Sequence, residues 1–182
     1  MKPLPRIHQV SQLARSRLFT IEQLDLEFAN GTQVQFERIS ANAGRAAMVA
    51  AVTAERELLL VREFAAGTER YELQLPKGIV DPGEEVLDAA NRELAEETGF
   101  AARELKLLKT FRVAPGYFRH ETDLVMATNL YPMRIESGDE PEPLEVVPLP
   151  LADADVWLER EDFTEARSVA GLLWVLRELD RA

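Results

Sequence analysis

The sequence predicts an α/β sandwich, a sheet layered between helices, preceded by a small antiparallel β region. Three observations predict it. Period-two stretches bounded by turn residues recur along the chain. The first is Arg17–Ser40, where Leu18, Thr20, Glu22, Leu24, Leu26 and Phe28 alternate with Phe19, Ile21, Gln23, Asp25 and Glu27. From about Glu84 to Thr98 there is no Gly or Pro, most residues are good helix formers, and Gly99 follows where a helix takes its left-handed C-terminal residue. Near the C-terminus Val169, Leu172, Leu173, Val175 and Leu176 give an apolar helical face, with Trp174 beside it. Strands and helices mixed in this way bury their apolar faces by stacking in layers.

Taken in order, residues 1–16 are polar, carry Pro3 and Pro5, and read as an arm with a short initial strand. Asn30-Gly31 is a strong hairpin signal, and a second strand follows at about Thr32 to Arg38. A lone hairpin is barely stable in water, so this one must pack on its own domain or on a partner subunit. The expected division is 1–45 as a β hairpin and dimerisation region and 46–182 as the main domain. Ala46 to Val52 and Glu57 to Glu63 read as strands around an Ala54-Glu55-Arg56 turn, and Tyr71 to Leu75 feeds Pro76-Lys77-Gly78. After the acidic helix come strands at Leu105 to Val113 and Asp123 to Leu130, with Ala114-Pro115-Gly116-Tyr117 as a loop between them. Residues 131–143 form a loop rich in Pro, Glu, Asp and Gly, long enough to suggest a function. A last strand, Leu144 to Leu149, precedes helices at Leu151 to Glu159 and Thr164 to Arg181.

At 182 residues the chain holds one good domain, or one domain with a small appendage. It has no cysteine, which excludes disulfides and thiolate metal sites. His8 and His120 are too few for a multi-histidine zinc site within one chain. A net charge of −11 disfavours a nucleic-acid surface, although a divalent metal can still draw a small anionic substrate to an acidic site. No apolar run approaches a membrane span, and the N-terminus lacks the apolar stretch of a signal peptide. The expectation is a cytoplasmic protein with neither a nucleic-acid nor a membrane partner.

The chemistry concentrates between Gly78 and Phe100. Asp81-Pro82-Gly83 supplies a turn, and the helix follows. On a wheel of 100° per residue, Leu87, Ala90 and Leu94 form one apolar stripe, which should face a core. Glu93, Glu96 and Glu97 share a neighbouring arc. Glu93 and Glu97 stack one turn apart and repel by a few tenths of a kcal/mol. They also lie toward the helix C-terminus, the unfavourable end for anions. Read alone, such a face is usually just solvated. Three clustered carboxylates at that end nevertheless suit a hard cation such as Mg²⁺, Mn²⁺ or Ca²⁺.

The spacing is more specific than the charge. Gly78, Glu84, Arg92-Glu93, an apolar Leu94, Glu96-Glu97, Gly99 and an apolar Phe100 match the Nudix box at every position, and the chain resembles a Nudix hydrolase. The resemblance implies a mixed sheet between helices, with the box as a loop–helix–loop along one side. It implies that Glu93, Glu96 and Glu97 hold Mg²⁺ (or Mn²⁺), with a backbone carbonyl of Lys77 or Gly78 completing the set. Glu84, Arg92 and Gly99 are implied to be structural, with Glu84 and Arg92 pairing to brace the loop. The family's general base lies outside the box and varies. Glu140 comes first among the candidates here, then Glu142, then Glu121.

Outside the box, the acidic loop Asp139-Glu140-Pro141-Glu142 resembles that of the ADP-ribose pyrophosphatases, and segments along nearly the whole chain resemble the ADP-compound hydrolases of the superfamily. This implies attack of water on a diphosphate link in ADP-ribose, diadenosine triphosphate or NADH, with release of AMP. In the superfamily, residues placed like Pro115 and Tyr117 accompany ADP-ribose and dinucleoside polyphosphate hydrolysis respectively. Ala65 falls near where the ADP-ribose enzymes carry a phosphate-binding Arg, which leaves Arg62 or Arg70 to substitute. Relatives of this kind are homodimers through their N-terminal strands, so Phe19 or Phe28 would stack on an adenine if neither is simply core. Two alternatives remain open: hydrolysis of other diphosphates such as nucleotide sugars, and a non-catalytic ADP-ribose or NAD sensor.

Overall fold

The computed structural model describes residues 2–133, 135 and 141–181, and for 41–44 the backbone alone. The chain forms two compact units, Met1–Arg45 with Arg112–Glu121, and Ala46–Phe111 with Thr122–Ala182. The stretch 112–121, which the sequence division left in the main domain, therefore clusters with the N-terminal unit.

The first unit is an antiparallel sheet of β1 (Arg6–Arg15), β2 (Phe19–Glu27) and the leading half of β3 (Gln33–Ala51). What reads as an arm with a short strand is a full edge strand, paired from Arg6↔Glu27 to Arg15↔Thr20. Polar composition hid it, because an edge strand with no covered face has no burial pattern to display. The β2–β3 register runs from Phe19↔Ala41 to Glu27↔Gln33. Its turn is closed at Asn30-Gly31, where Gly31 has φ 84° and Asn30 Oδ1 accepts from the Thr32 N–H at 3.1 Å. Leu24 and Leu26, two apart on one face, are buried, while Ile7, Val10 and Leu13 of β1 stay exposed.

The second unit explains the layering. The sequence reading expected separate strands at Thr32–Arg38 and Ala46–Val52, but β3 runs unbroken to Ala51. Its trailing residues are buried on both faces. Ala47, Val49 and Ala51 join Ala89, Ala90 and Leu94 of α1 (Val86–Thr98) in one core. Met48 and Ala50 join Leu172 and Val175 of α3 (Ala166–Leu179) in the other. The period of two sends alternate residues to opposite helices, and this makes the strand a middle layer. Beside β3 lie β8 (Phe118–Pro132) and then β7 (Phe100–Phe111), and the three-residue β6 (Lys77–Ile79) also pairs with β3. A second antiparallel sheet has the order β5 (Arg70–Gln74), β4 (Glu57–Ala65), β9 (Glu145–Pro150). A 3₁₀ turn at Leu151–Asp153 and the short α2 (Ala154–Leu158) replace the single helix expected over Leu151–Glu159.

Two apolar assignments need correction. Leu87 is 39% exposed, and the buried stripe of α1 is Ala89, Ala90, Glu93 and Leu94 instead. Leu173 is half-exposed, so the packed face of α3 is carried by Ser168, Gly171, Leu172 and Val175. Gly171 sits so close to Leu75, the residue after β5, that an added Cβ would meet its Cδ1 at 2.5 Å. Among the described residues, no helix is long and apolar enough to cross a membrane.

Candidate active site

The local fold of 78–99 follows from its residues. At its N-terminus the Asp81 N–H donates to Glu84 Oε2 at 3.0 Å, and the Glu84 N–H returns to the Asp81 carbonyl at 3.0 Å. Gly99 closes the helix with φ 75° and its N–H on the Ala95 carbonyl. Arg92 then clamps the loop to the helix. Its Nε and Nη2 donate to the two carboxylate oxygens of Glu84 at 3.0 and 3.1 Å, and Nη2 also reaches the Ile79 carbonyl at 3.0 Å. Nη1 donates to Glu93 Oε1 at 2.7 Å and Glu96 Oε2 at 3.0 Å. Arg92 holds the Glu84 carboxyl below the usual carboxylate range, and Glu84 in turn raises the Arg92 pKa.

β6 brings Gly78 against the helix. The Glu93 carboxyl lies directly on Gly78, where any Cβ would overlap it. The half-buried Glu97 accepts the Lys77 backbone N–H at 3.3 Å. Burial pushes its pKa up to about 8; the Lys77 charge opposes that rise, and the Glu93 and Glu63 carboxylates add to it. Among the described residues, no three carboxylate or imidazole groups are gathered as a metal site. One oxygen each of Glu93 and Glu96 turns to Arg92 instead. The donor set still fits a hard cation. All its donors are oxygens, and Glu97 is desolvated beside the Glu93 and Glu63 carboxylates, a setting that a bound cation would relieve. The cradle at Gly78 seats a carboxylate against a backbone free of Cβ.

Glu63, Gln74 and the Lys77 ammonium were missed at this cluster. Lys77 Nζ lies 3.3 Å from Glu63 Oε2, and Gln74 Nε2 donates to the same oxygen. The β4–β5 register pairs Glu63 with Glu72, which puts Glu63, Glu72 and Gln74 on one face. A hairpin register for 57–74 was the signal that would have found them.

The other described candidates have partners or surroundings of their own. Arg62 is bound to Glu145 at 2.8 Å and Asp162 at 2.9 Å. Arg70 is bound to Glu72 at 2.6 Å and donates to Thr164 Oγ1 at 3.2 Å. Glu142 Oε1 accepts from the Tyr71 hydroxyl at 2.6 Å. Glu140 lies outside the described residues. Within the first unit, Glu121 pairs with Arg112. Pro115, Tyr117 and Glu121 line a cavity of about 360 Å³ together with Arg38, Arg112 and Phe118. Phe19 packs edge-on to Phe118 at 6.3 Å, and Phe28 edge-on to Phe36 at 6.4 Å.

An α/β sandwich whose acidic helix is clamped in this way by Arg92 and Glu84 defines a Nudix hydrolase. The chain belongs to the Nudix hydrolase family: residues 43–171 match the NUDIX domain, and residues 5–38 match the NudE-type Nudix hydrolase N-terminal domain. It is 49% identical over 171 residues to the ADP compounds hydrolase NudE of Escherichia coli K12, covering 94% of this chain and 91% of that protein. It is 30% identical over 169 residues to the ADP-ribose pyrophosphatase of Bacillus subtilis 168, covering 90% of each. A crystal structure of an ADP compounds hydrolase superposes with a TM-score of 0.90 at 46% identity, covering 99% of this chain and 96% of that one.

Proposed function

We propose that the protein is a Mg²⁺-dependent pyrophosphohydrolase of ADP compounds such as ADP-ribose, diadenosine triphosphate and NADH. Water attacks one phosphorus of the diphosphate link, and AMP leaves. The observation that carries this reading is the convergence of Glu93 on Gly78 and of Glu97 on the Lys77 N–H, which draws the box carboxylates onto the loop backbone. The similarity to an ADP compounds hydrolase over nearly the full length supports the substrate class.

In this reading Glu93, Glu96, Glu97 and the Gly78 carbonyl hold the cation. When bound, Mg²⁺ supplies charge neutralisation and Lewis acidity at the diphosphate. Arg92 and Glu84 keep the loop and helix in register, and Gly99 ends the helix after the last ligand. The proton of the attacking water goes to a carboxylate among Glu140, Glu142 and Glu121. Glu142 accepts the Tyr71 hydroxyl on Oε1 and keeps Oε2 for the water, which must come within hydrogen-bond reach. Pro115, Tyr117, Phe19 and Phe28 contribute apolar and aromatic surface for the nucleoside. The protein works in the cytoplasm as a homodimer through its N-terminal region. Light scattering of the eluted protein tests the dimer.

The decisive experiment incubates the protein with ADP-ribose, NADH, diadenosine triphosphate and a nucleotide sugar, with and without Mg²⁺, and resolves the products. AMP release from the ADP compounds that depends on Mg²⁺ is expected. Release from the nucleotide sugar alone sinks the substrate class, and binding without turnover marks a sensor. Glu97→Gln should lose about two orders of magnitude in turnover while staying folded. Near-normal activity in that variant contradicts the ligand assignment.

A further inference from the structure

A side-chain cation would add to the hold on the diphosphate, and the arginines expected to supply it are each paired with other groups. Arg62 is held by Glu145 and Asp162, and Arg70 by Glu72 and Thr164. The Arg92 donors are spent on Glu84, Glu93, Glu96 and the Ile79 carbonyl.

Lys77 differs from Arg62 and Arg70 in its place on β6 beside Gly78, and from Arg92 in its uncommitted donors. Among the described residues its Nζ has one partner, Glu63 Oε2 at 3.3 Å, so two of its three N–H donors are uncommitted. Its side chain keeps 18% of its surface exposed, which lets an anion reach the head while the stem stays packed. It sits on β6 beside Gly78, with its own N–H on Glu97. The Glu63 carboxylate is fixed in turn, because Gln74, only 6% exposed, donates to the oxygen that faces Lys77. Glu97 feels the Lys77 charge, and among the described residues the carboxylate within ion-pair distance of the ammonium is Glu63.

We infer that Lys77 is the ammonium that meets a non-bridging phosphate oxygen of the substrate's diphosphate, and that Glu63, gripped by Gln74, is the positioning residue that holds it there. A compact ammonium suits this task, since it contacts phosphate as a point charge without a fixed fork. The inference rests on the function proposed above.

The test compares Lys77→Met, Lys77→Arg, Glu63→Gln and the Lys77→Met/Glu63→Gln double variant, each with a thermal melt to show folding. With ADP-ribose and Mg²⁺, Lys77→Met should lose about 10- to 100-fold in kcat/KM, chiefly through KM, and Lys77→Arg should recover part of it. Glu63→Gln should lose about 3- to 10-fold, and the double variant should be no worse than Lys77→Met alone. Wild-type kcat/KM in Lys77→Met overturns the phosphate contact, and losses that multiply in the double variant overturn the role of Glu63. A second readout needs neither metal nor turnover. Calorimetric titration with AMP should show about 10-fold weaker binding by Lys77→Met, and equal affinities overturn the inference. If the wild type releases no AMP from any ADP compound, the proposed function falls, while the AMP titration still decides Lys77.

Discussion

Gly78→Ala separates the site from the fold. Gly78 pairs with Ala47 in the β3–β6 ladder, and its backbone lies outside the left-handed region, so alanine fits the chain path. By restricting the unfolded chain, the substitution should favour folding by about 0.4–1 kcal/mol. The obstacle is the Glu93 carboxyl. An added Cβ would fall on its Cδ, Oε1 and Oε2, well inside the 3.0 Å that real Cβ atoms essentially never breach. To regain van der Waals contact the carboxyl must withdraw by about 1 Å or more. It is the end of a flexible side chain, so it moves and the backbone does not. A shift of that size in a group that positions the reaction costs about 100-fold in rate. Initial rates of AMP release from ADP-ribose at saturating Mg²⁺, with thermal melts alongside, read both effects. The expectation is kcat/KM down about 100-fold with the melting temperature unchanged or raised. Wild-type turnover in a stably folded Gly78→Ala protein would refute the reasoning, because the seat of Glu93 would then not matter to the chemistry.

Three further outcomes follow from the packing and the ion pairs. Arg92→Lys cannot reproduce the two-pronged grip on Glu84 or reach the Ile79 carbonyl as well, and should destabilise by about 1–3 kcal/mol in urea titration. A midpoint equal to the wild type would show the brace to be idle. Ser168→Ala strands the buried Leu75 N–H, which donates to Ser168 Oγ at 2.9 Å, and should cost about 1–3 kcal/mol with an unchanged denaturant slope. Asp162, held by Arg160 and then Arg62, has its pKa lowered from 3.8 to about 2. A depressed carboxylate adds stability above its unfolded pKa and loses it as pH falls toward the folded value. Asp162 should therefore withdraw at most about 2 kcal/mol between pH 4 and pH 2, less where solvent screens the pair, and Asp162→Asn should lack that part of the acid limb. Parallel acid limbs for the two proteins would count against the pairing.

The legible part of this protein was local. The turn at Asp81, the helix through Thr98 and the glycine stop at Gly99 each follow from residues within a few positions of one another. Backbone conformation there is governed by φ preference, local turn hydrogen bonds and the 3.6-residue period. The same locality made the box readable, and with it the family and the layered fold, because its spacing is fixed along a single helix and loop. The β1 strand was only partly readable, since an edge strand exposed on its surface shows no alternation of burial.

The sequence by itself determined the acidic helix, its Arg92–Glu84 brace and the Asn30-Gly31 turn. Beyond that brace, only the tertiary structure decided which carboxylate takes which cation. Arg62 is captured by Glu145 and Asp162, 83 and 100 residues away, and Leu75 is anchored by Ser168, 93 residues away. Glu63 reaches Lys77 through the register of the β4–β5 hairpin and the seating of β6 on β3. Ion pairing depends on distances of a few ångströms, and a chain fixes those distances between remote residues only when its strands settle into register. The three box carboxylates were therefore visible in the sequence, whereas the Lys77–Glu63 pair beside them was not.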